Sequence, residues 1–282
     1  MIFSVTLVAL AFSLSDSDGG GDFGFSDRIQ VVDIEGTLLD SRFYLEQLKR
    51  YEDSASVSGI LLNINSPGGD VAVSQELWAE VRRLREEKGK VVVAYLSSVG
   101  ASGAYYVACG ADRIVANPGT VVGSIGVIAE WLNYGELLEW AKLSNIVFKS
   151  GEFKDTGTST RSLTPNEQEY FQGLIDDMYS QFVEAVASGR KLDIEQVREF
   201  ADGRVFTGRE AAKRDMIDEV GNFQDALDLT ARLAGVLGKP RLIQLRRERV
   251  TLLDVFTGDI SRVFPFAGRT LDSRIRFQYL WK

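Results

Sequence analysis

The chain has 282 residues, 45% hydrophobic and 26% charged, with a net charge of −8. That is enough apolar material for a buried core, and the acidic balance, with no concentrated basic run before the last forty or so residues, argues against nucleic acid as a partner. There is no histidine, and Cys109 is the one cysteine. An internal disulfide, a Ser-His-Asp triad, a Cys-His pair and CxxC or HExxH zinc sites are therefore excluded. A serine nucleophile here must take its base from Lys, Asp, Glu or a terminal amine. No EF-hand-like loop is present, so neither a metal nor a cofactor is expected.

Residues Ile2 to Leu14 are almost wholly apolar and lead into Asp16, Asp18 and the run Gly19–Gly21. The run is short of the roughly 20 residues a bilayer requires, and it is read as the end of a membrane anchor followed by a flexible linker. The expected organisation is this segment over 1–24, a catalytic domain over 25–240, and a tail over 241–282 of unassigned role. Within the domain, strand and helix alternate. Strands are predicted at Arg28–Ile34, Val57–Ile64, Lys90–Leu96 and Arg113–Ala116 from continuous β-branched apolar runs. Ser66-Pro67-Gly68-Gly69-Asp70 breaks the second strand. A helix with Leu77, Val81 and Leu84 on one face follows and stops at Gly89. Ser97–Gly103 reads as a small-residue turn into a helix at Ala104–Cys109. Thr164-Pro165-Asn166-Glu167 carries a capping box with Pro at N1, followed by Phe171, Leu174, Ile175, Met178, Phe182 and Val186 at helical spacing. Thr207-Gly208-Arg209-Glu210 repeats the cap. The pattern specifies an α/β fold.

Four segments carry candidate chemistry. In Ser66-Pro67-Gly68-Gly69, exposed amides at Gly68 or Gly69 suit an oxyanion hole, although the same glycines serve an ordinary strand-to-helix turn. In Gly100-Ala101-Ser102-Gly103-Ala104, small neighbours expose the Ser102 hydroxyl between strand and helix, with Ser97 and Ser98 as nearby competitors. In Gly151-Glu152-Phe153-Lys154-Asp155, Lys154 is a candidate base. A lysine is a base only when its amine is neutral, which burial promotes, and Phe153 with Ile146–Phe148 is the apolar material at hand. By composition Lys149 is an equal candidate. In Gly123-Ser124-Ile125-Gly126, the Ser124 hydroxyl suits orientation of a base amine. Cys109 reads as a core residue.

In this order, the four segments resemble the signal peptide peptidase A family, peptidase family S49. The resemblance runs from about Ile34 to Gly221 and includes Ala101-Ser102-Gly103-Ala104-Tyr105-Tyr106, Gly123-Ser124-Ile125-Gly126-Val127, Arg204-Val205-Phe206-Thr207-Gly208 and Ile217-Asp218-Glu219-Val220-Gly221. Ala104 stands where that family often has Gly. The resemblance implies Ser102 as nucleophile, Lys154 as general base, Ser124 as the lysine's hydrogen-bond partner, and oxyanion-hole amides at Gly68 and Gly103. It implies a crotonase- or ClpP-like fold of stacked ββα units in a single catalytic domain. It also implies peptide substrates such as signal peptides, a homo-oligomeric ring with shared sites, and a place at the cell membrane facing outward. The rival readings are an acyl-CoA enzyme on the crotonase fold and an inactive scaffold.

Overall fold

A computed structural model describes residues 28–244 and 277–282. Its centre is a sheet built from β1 (Arg28–Glu35), β2 (Val57–Ser66), β4 (Val91–Ala101), β5 (Arg113–Ala116), β9 (Glu219–Val220) and β10 (Arg241–Gln244), in the order β10-β1-β2-β4-β5-β9. All pairs along that path are parallel. Parallel strands need crossovers, and α2 (Val71–Glu86) supplies the one between β2 and β4.

The continuous apolar runs are explained by burial of both sheet faces. Val32, Ile34, Ile60, Leu62, Ile64, Val92, Ala94 and Leu96 point to one side and join Leu77, Val81 and Leu84 of α2 and Phe182, Val183 and Val186 of α5 (Pro165–Arg190). Their odd-numbered neighbours Ile29, Val31, Leu61, Val93 and Tyr95 point the other way, against Ala226, Leu227 and Leu229 of α8 (Phe223–Leu233). The strand period of two thus divides each run between two cores. Fully burying one such side chain contributes roughly 1.5–3 kcal/mol.

The helix starts follow the sequence. Thr164 and Glu167 form a reciprocal capping box with Pro at N1, and the Thr207 hydroxyl accepts from the Glu210 amide to start α7 (Gly208–Ala212). The stretch Ser97–Ala101 departs from expectation. It continues β4, because its far half gains its own partners: Val99, Gly100 and Ala101 align with Val121, Val122 and Gly123 of β6 (Val121–Gly123), and Gly100 also lies opposite Ser66. The turn is compressed into Ser102 alone, between β4 and α3 (Gly103–Ala108).

A second, antiparallel sheet stands beside this turn. Its order is β3-β11-β7, from β3 (Gly68–Asp70), β11 (Phe277–Leu280) and β7 (Ile128–Ala129). The tail over 241–282, unassigned from sequence, therefore supplies β10 to the main sheet and β11 to the small one. The apolar run Ile2–Leu14 lies outside the described residues.

Candidate active site

Ser102 is held in a conformation that L-residues seldom adopt, φ 54° and ψ −123°. Such strain persists only where the surroundings fix it, and here the fixing is direct. The Ser102 N–H donates to the Gly123 carbonyl at 2.7 Å, and the Tyr106 N–H donates to the Ser102 carbonyl at 2.9 Å. Both backbone groups are tied down, while the side chain is not. Ser102 is 1% exposed, and its Oγ is buried without any hydrogen-bond partner. A buried hydroxyl left unpaired costs about 1–3 kcal/mol.

The glycine loop approaches Ser102 closely. A Cβ on Gly68, where φ is +98°, would lie 2.7 Å from the Gly103 nitrogen and 3.1 Å from the Ser102 Cβ. A Cβ on Gly103 would lie 2.3 Å from Ser74 Oγ and 3.2 Å from the Gly69 nitrogen. Only glycines permit this contact. The two amides of the loop differ. Gly68 N–H donates to Ser66 Oγ at 3.1 Å. Leu38 pairs with the loop through its N–H to the Gly68 carbonyl and through the Asp70 N–H to its own carbonyl. The Gly69 N–H and carbonyl consequently face the opposite edge, toward β11. The residues alone leave both glycines open and the family resemblance implies Gly68; the strand parity that pairs the two amides differently is invisible in a Pro-Gly-Gly motif.

Ser124 sits beside Ser102 through the shared Gly123 turn. It also has a positive φ of 52°, is 8% exposed, and its N–H donates to the Arg204 carbonyl at 2.8 Å. It borders a cavity of about 640 Å³ that reaches Ile128, Tyr179, Leu280 and Trp281. Ser102, Gly68, Gly69, Gly103 and Ser124 are thus drawn into one cluster.

Lys154 is placed differently. It lies on a 3₁₀ turn, Glu152–Asp155, and is exposed. The apolar neighbours expected to dry it are themselves in water: Phe148 is 96% exposed, Ile146 78% and Phe153 45%. The described residues of one copy do not bury this side chain. What orders the segment is charge. The Arg161 guanidinium donates to Asp155 at 2.9 Å and to Glu167 at 2.6 and 2.8 Å. The rival base Lys149 is occupied, its Nζ donating to the Glu152 carbonyl at 2.8 Å and to Asp155 at 2.5 Å. Arg161, despite the burial of Glu167, holds the Glu167 carboxyl far below the usual carboxylate range, and Arg161 followed by Lys149 lowers Asp155. Cys109 is a core residue whose thiol burial pushes up to about 12, as its sequence context implied.

The S49 peptidase model, "Peptidase family S49", matches residues 84–237. A Synechocystis sp. protein that bears a protease name is 42% identical over 211 residues, which is 74% of this chain and 75% of that protein. The chain belongs to peptidase family S49. The serine protease SPPA of Arabidopsis thaliana chloroplasts is 32% identical over 239 residues, and Protease 4 of Haemophilus influenzae 30% over 229 residues; the chain covers 84% and 75% of itself in these matches but 35% of either relative. Among solved structures, the 1510-N membrane-bound stomatin-specific protease shares the fold, with a TM-score of 0.50, 16% identity, and coverage of 79% of this chain and 99% of that one. Membership selects a protease over the acyl-CoA reading. Among the described residues of this S49 protein, no helix is long and apolar enough to cross a membrane, and no cluster of His, Cys, Asp and Glu suits a metal ion.

Proposed function

We propose that this chain is a serine endopeptidase in which Ser102 is the nucleophile and Lys154, supplied by a neighbouring copy, is the general base. The observation that carries the reading is the Ser102 hydroxyl: strained at its backbone, buried and without a partner, beside glycine amides. The exposed setting of Lys154, among exposed apolar side chains, supports a base that is buried only on assembly into a ring.

In this mechanism neutral Lys154 accepts the Ser102 proton as Oγ bonds to a peptide carbonyl carbon. The developing oxyanion is met by the amides of Gly103 and Gly69, the Gly68 N–H being turned to Ser66 Oγ within its own loop while the Gly69 N–H faces outward to the edge that β11 pairs with. The C–N bond then breaks as the lysine ammonium protonates the leaving amine. A water molecule, giving its proton to Lys154, attacks the acyl carbon, and the ammonium returns that proton to Ser102 Oγ as the acyl C–O bond breaks. Ser124 hydrogen-bonds the incoming amine and orients it.

Extended apolar peptides are the proposed substrates. An Enterococcus faecium relative, 37% identical over 185 residues, carries a signal peptide peptidase name. Released signal peptides at the outer side of the cell membrane, with residues 1–24 as the attachment, fit that chemistry. The test is cleavage of a fluorogenic apolar peptide by Ser102→Ala and Lys154→Ala. Both variants are expected to fold and to lose turnover. Retained turnover in Ser102→Ala overturns the reading.

A further inference from the structure

The Ser102 N–H is tied to the Gly123 carbonyl, so the position of the proposed nucleophile follows the position of Gly123. Gly123 has a φ of +102° and no side chain with which to anchor itself. Its neighbours do the anchoring. The point its Cβ would occupy lies 3.1 Å from the Arg204 carbonyl oxygen, 3.1 Å from Phe206 Cδ2 and 3.4 Å from Met216 Cε. Arg204 and Phe206 come with β8 (Val205–Thr207), which pairs antiparallel with β6 and sets Val205 opposite Gly123. Met216 is 0% exposed and comes from the turn between α7 and β9. The chain segments around 204–208 and 217–221, to which the reaction assigns no chemistry, thus meet behind the Ser102 turn.

Met216 is fixed in turn from α3. Tyr105, three residues beyond Ser102 and 0% exposed, donates its hydroxyl to the Met216 carbonyl at 2.7 Å. Burial raises this phenol well above its ordinary range, so the hydroxyl keeps the proton it donates. A closed circuit results: Ser102 leads through α3 to Tyr105, Tyr105 holds Met216, Met216 packs against Gly123, and the Gly123 carbonyl returns to the Ser102 amide. The Met216 post is itself braced. Its N–H donates to the Ala211 carbonyl at 3.0 Å. The Arg190 guanidinium, from the end of α5, donates to the Asp215 carbonyl at 2.9 Å and to Asp218 Oδ2 at 2.7 Å, and the same Asp218 oxygen accepts from the Ile114 N–H of β5 at 2.8 Å.

We propose that Tyr105 and Met216 are positioning residues for the reaction, holding the Ser102 turn in its strained conformation through Gly123 and so fixing where Oγ meets the peptide carbonyl carbon. This rests on Ser102 as nucleophile. A strained residue relaxes when its surroundings give way, and a displacement of about 1 Å in a reacting group costs about 100-fold in rate. Neither side chain touches the substrate, so the effect belongs in kcat and not in KM.

The test measures kcat and KM on a fluorogenic peptide, the rate at which a fluorophosphonate labels Ser102, and the melting temperature. Tyr105→Phe removes one hydroxyl and is expected to lower kcat and the labelling rate by about 10- to 100-fold, with KM within about twofold. Met216→Ala keeps the carbonyl that Tyr105 holds and removes the methyl against Gly123; a loss of about tenfold is expected, and Met216→Leu, which refills the space, is expected to recover most of it. The Met216 pair decides the matter if Tyr105→Phe does not fold. Leu229→Ala, in the core on the opposite face of the sheet, is expected to lower the melting temperature at least as much while leaving kcat within about twofold. Tyr105→Phe and Met216→Ala that lose melting temperature alone, or whose losses appear in KM, overturn the proposal. Ser102→Ala turning over like the unaltered chain sinks the nucleophile assignment and this proposal with it, whereas an inactive Ser102→Ala beside a fully active Tyr105→Phe sinks the proposal alone.

Discussion

The Ser102 turn and the Lys154 segment are organised by opposite means. At Ser102 both backbone groups are engaged, glycines nearby allow contacts that a methyl group would block, and the residue is buried. Around Lys154 the backbone forms one short 3₁₀ turn, held by an Arg161–Asp155–Lys149 and Arg161–Glu167 network while large apolar side chains face water. The described residues of one copy bury the proposed nucleophile and leave the proposed base exposed. Exposed apolar side chains in such density are what the proposed contact with a neighbouring copy would cover.

The sharpest break of this comparison comes from Ser102→Ala, expected to lower kcat by about 10⁴- to 10⁶-fold, as removal of a serine nucleophile does elsewhere, with thermal stability nearly unchanged. Lys154→Ala is expected to be of the same order. Lys149→Ala, whose amine is already engaged by Asp155 and the Glu152 carbonyl, should cost under about tenfold. Parallel kinetics on the two lysine variants check this, and equal losses would remove the distinction between them.

Gly69→Ala tests the turn itself. Its Cβ would fall 2.1 Å from the Leu38 carbonyl oxygen, so the loop must shift and carry the amide with it. A loss of about 100- to 1000-fold in kcat is expected, together with a lowered melting temperature.

The ion network gives the smallest effect and the one that depends on pH. Glu167 is held below the usual carboxylate range by Arg161, followed by the Thr164 amide and Thr156. Its folded pKa is depressed, so its stabilisation is present above the unfolded value of about 4.3 and fades as pH falls from there toward the folded value. Arg161→Ala is expected to destabilise by about 1.5–3 kcal/mol at neutral pH, the worth of hydrogen bonds to a charged group. The difference in melting temperature between Glu167→Gln and the unaltered chain should narrow below about pH 4.

Much of this was legible in the sequence for local reasons. The strands Arg28–Ile34 and Val57–Ile64 announce themselves because two-sided burial demands unbroken apolar runs, and Thr164 with Glu167 announces a helix start because the cap is made by neighbours. The small residues around Ser102 and the glycines at 68 and 69 were readable as a site because close approach needs them. What escaped was set by partners distant in sequence. The strand character of Ser97–Ala101 comes from β6, and the different pairing of the Gly68 and Gly69 amides from Ser66, Leu38 and β11. The burial of Tyr279 depends on pairing with Gly69 and on contacts with Tyr106 and Phe182, and nothing in Phe-Gln-Tyr-Leu marks it. The exposure of Lys154 in one copy is likewise not legible, because nearness in sequence to Phe153 and Ile146–Phe148 does not say whether they pack on it.

Mixing Ser102→Ala copies with Lys154→Ala copies tests most directly whether the base arrives from outside the chain that holds the nucleophile. Neither variant alone is expected to cleave the fluorogenic peptide, and co-assembled mixtures, verified by cross-linking, should regain activity, since some interfaces then pair an intact Ser102 with an intact Lys154. Co-assembled mixtures that stay inactive, while mixtures of either variant with unaltered copies remain active, would contradict a shared site.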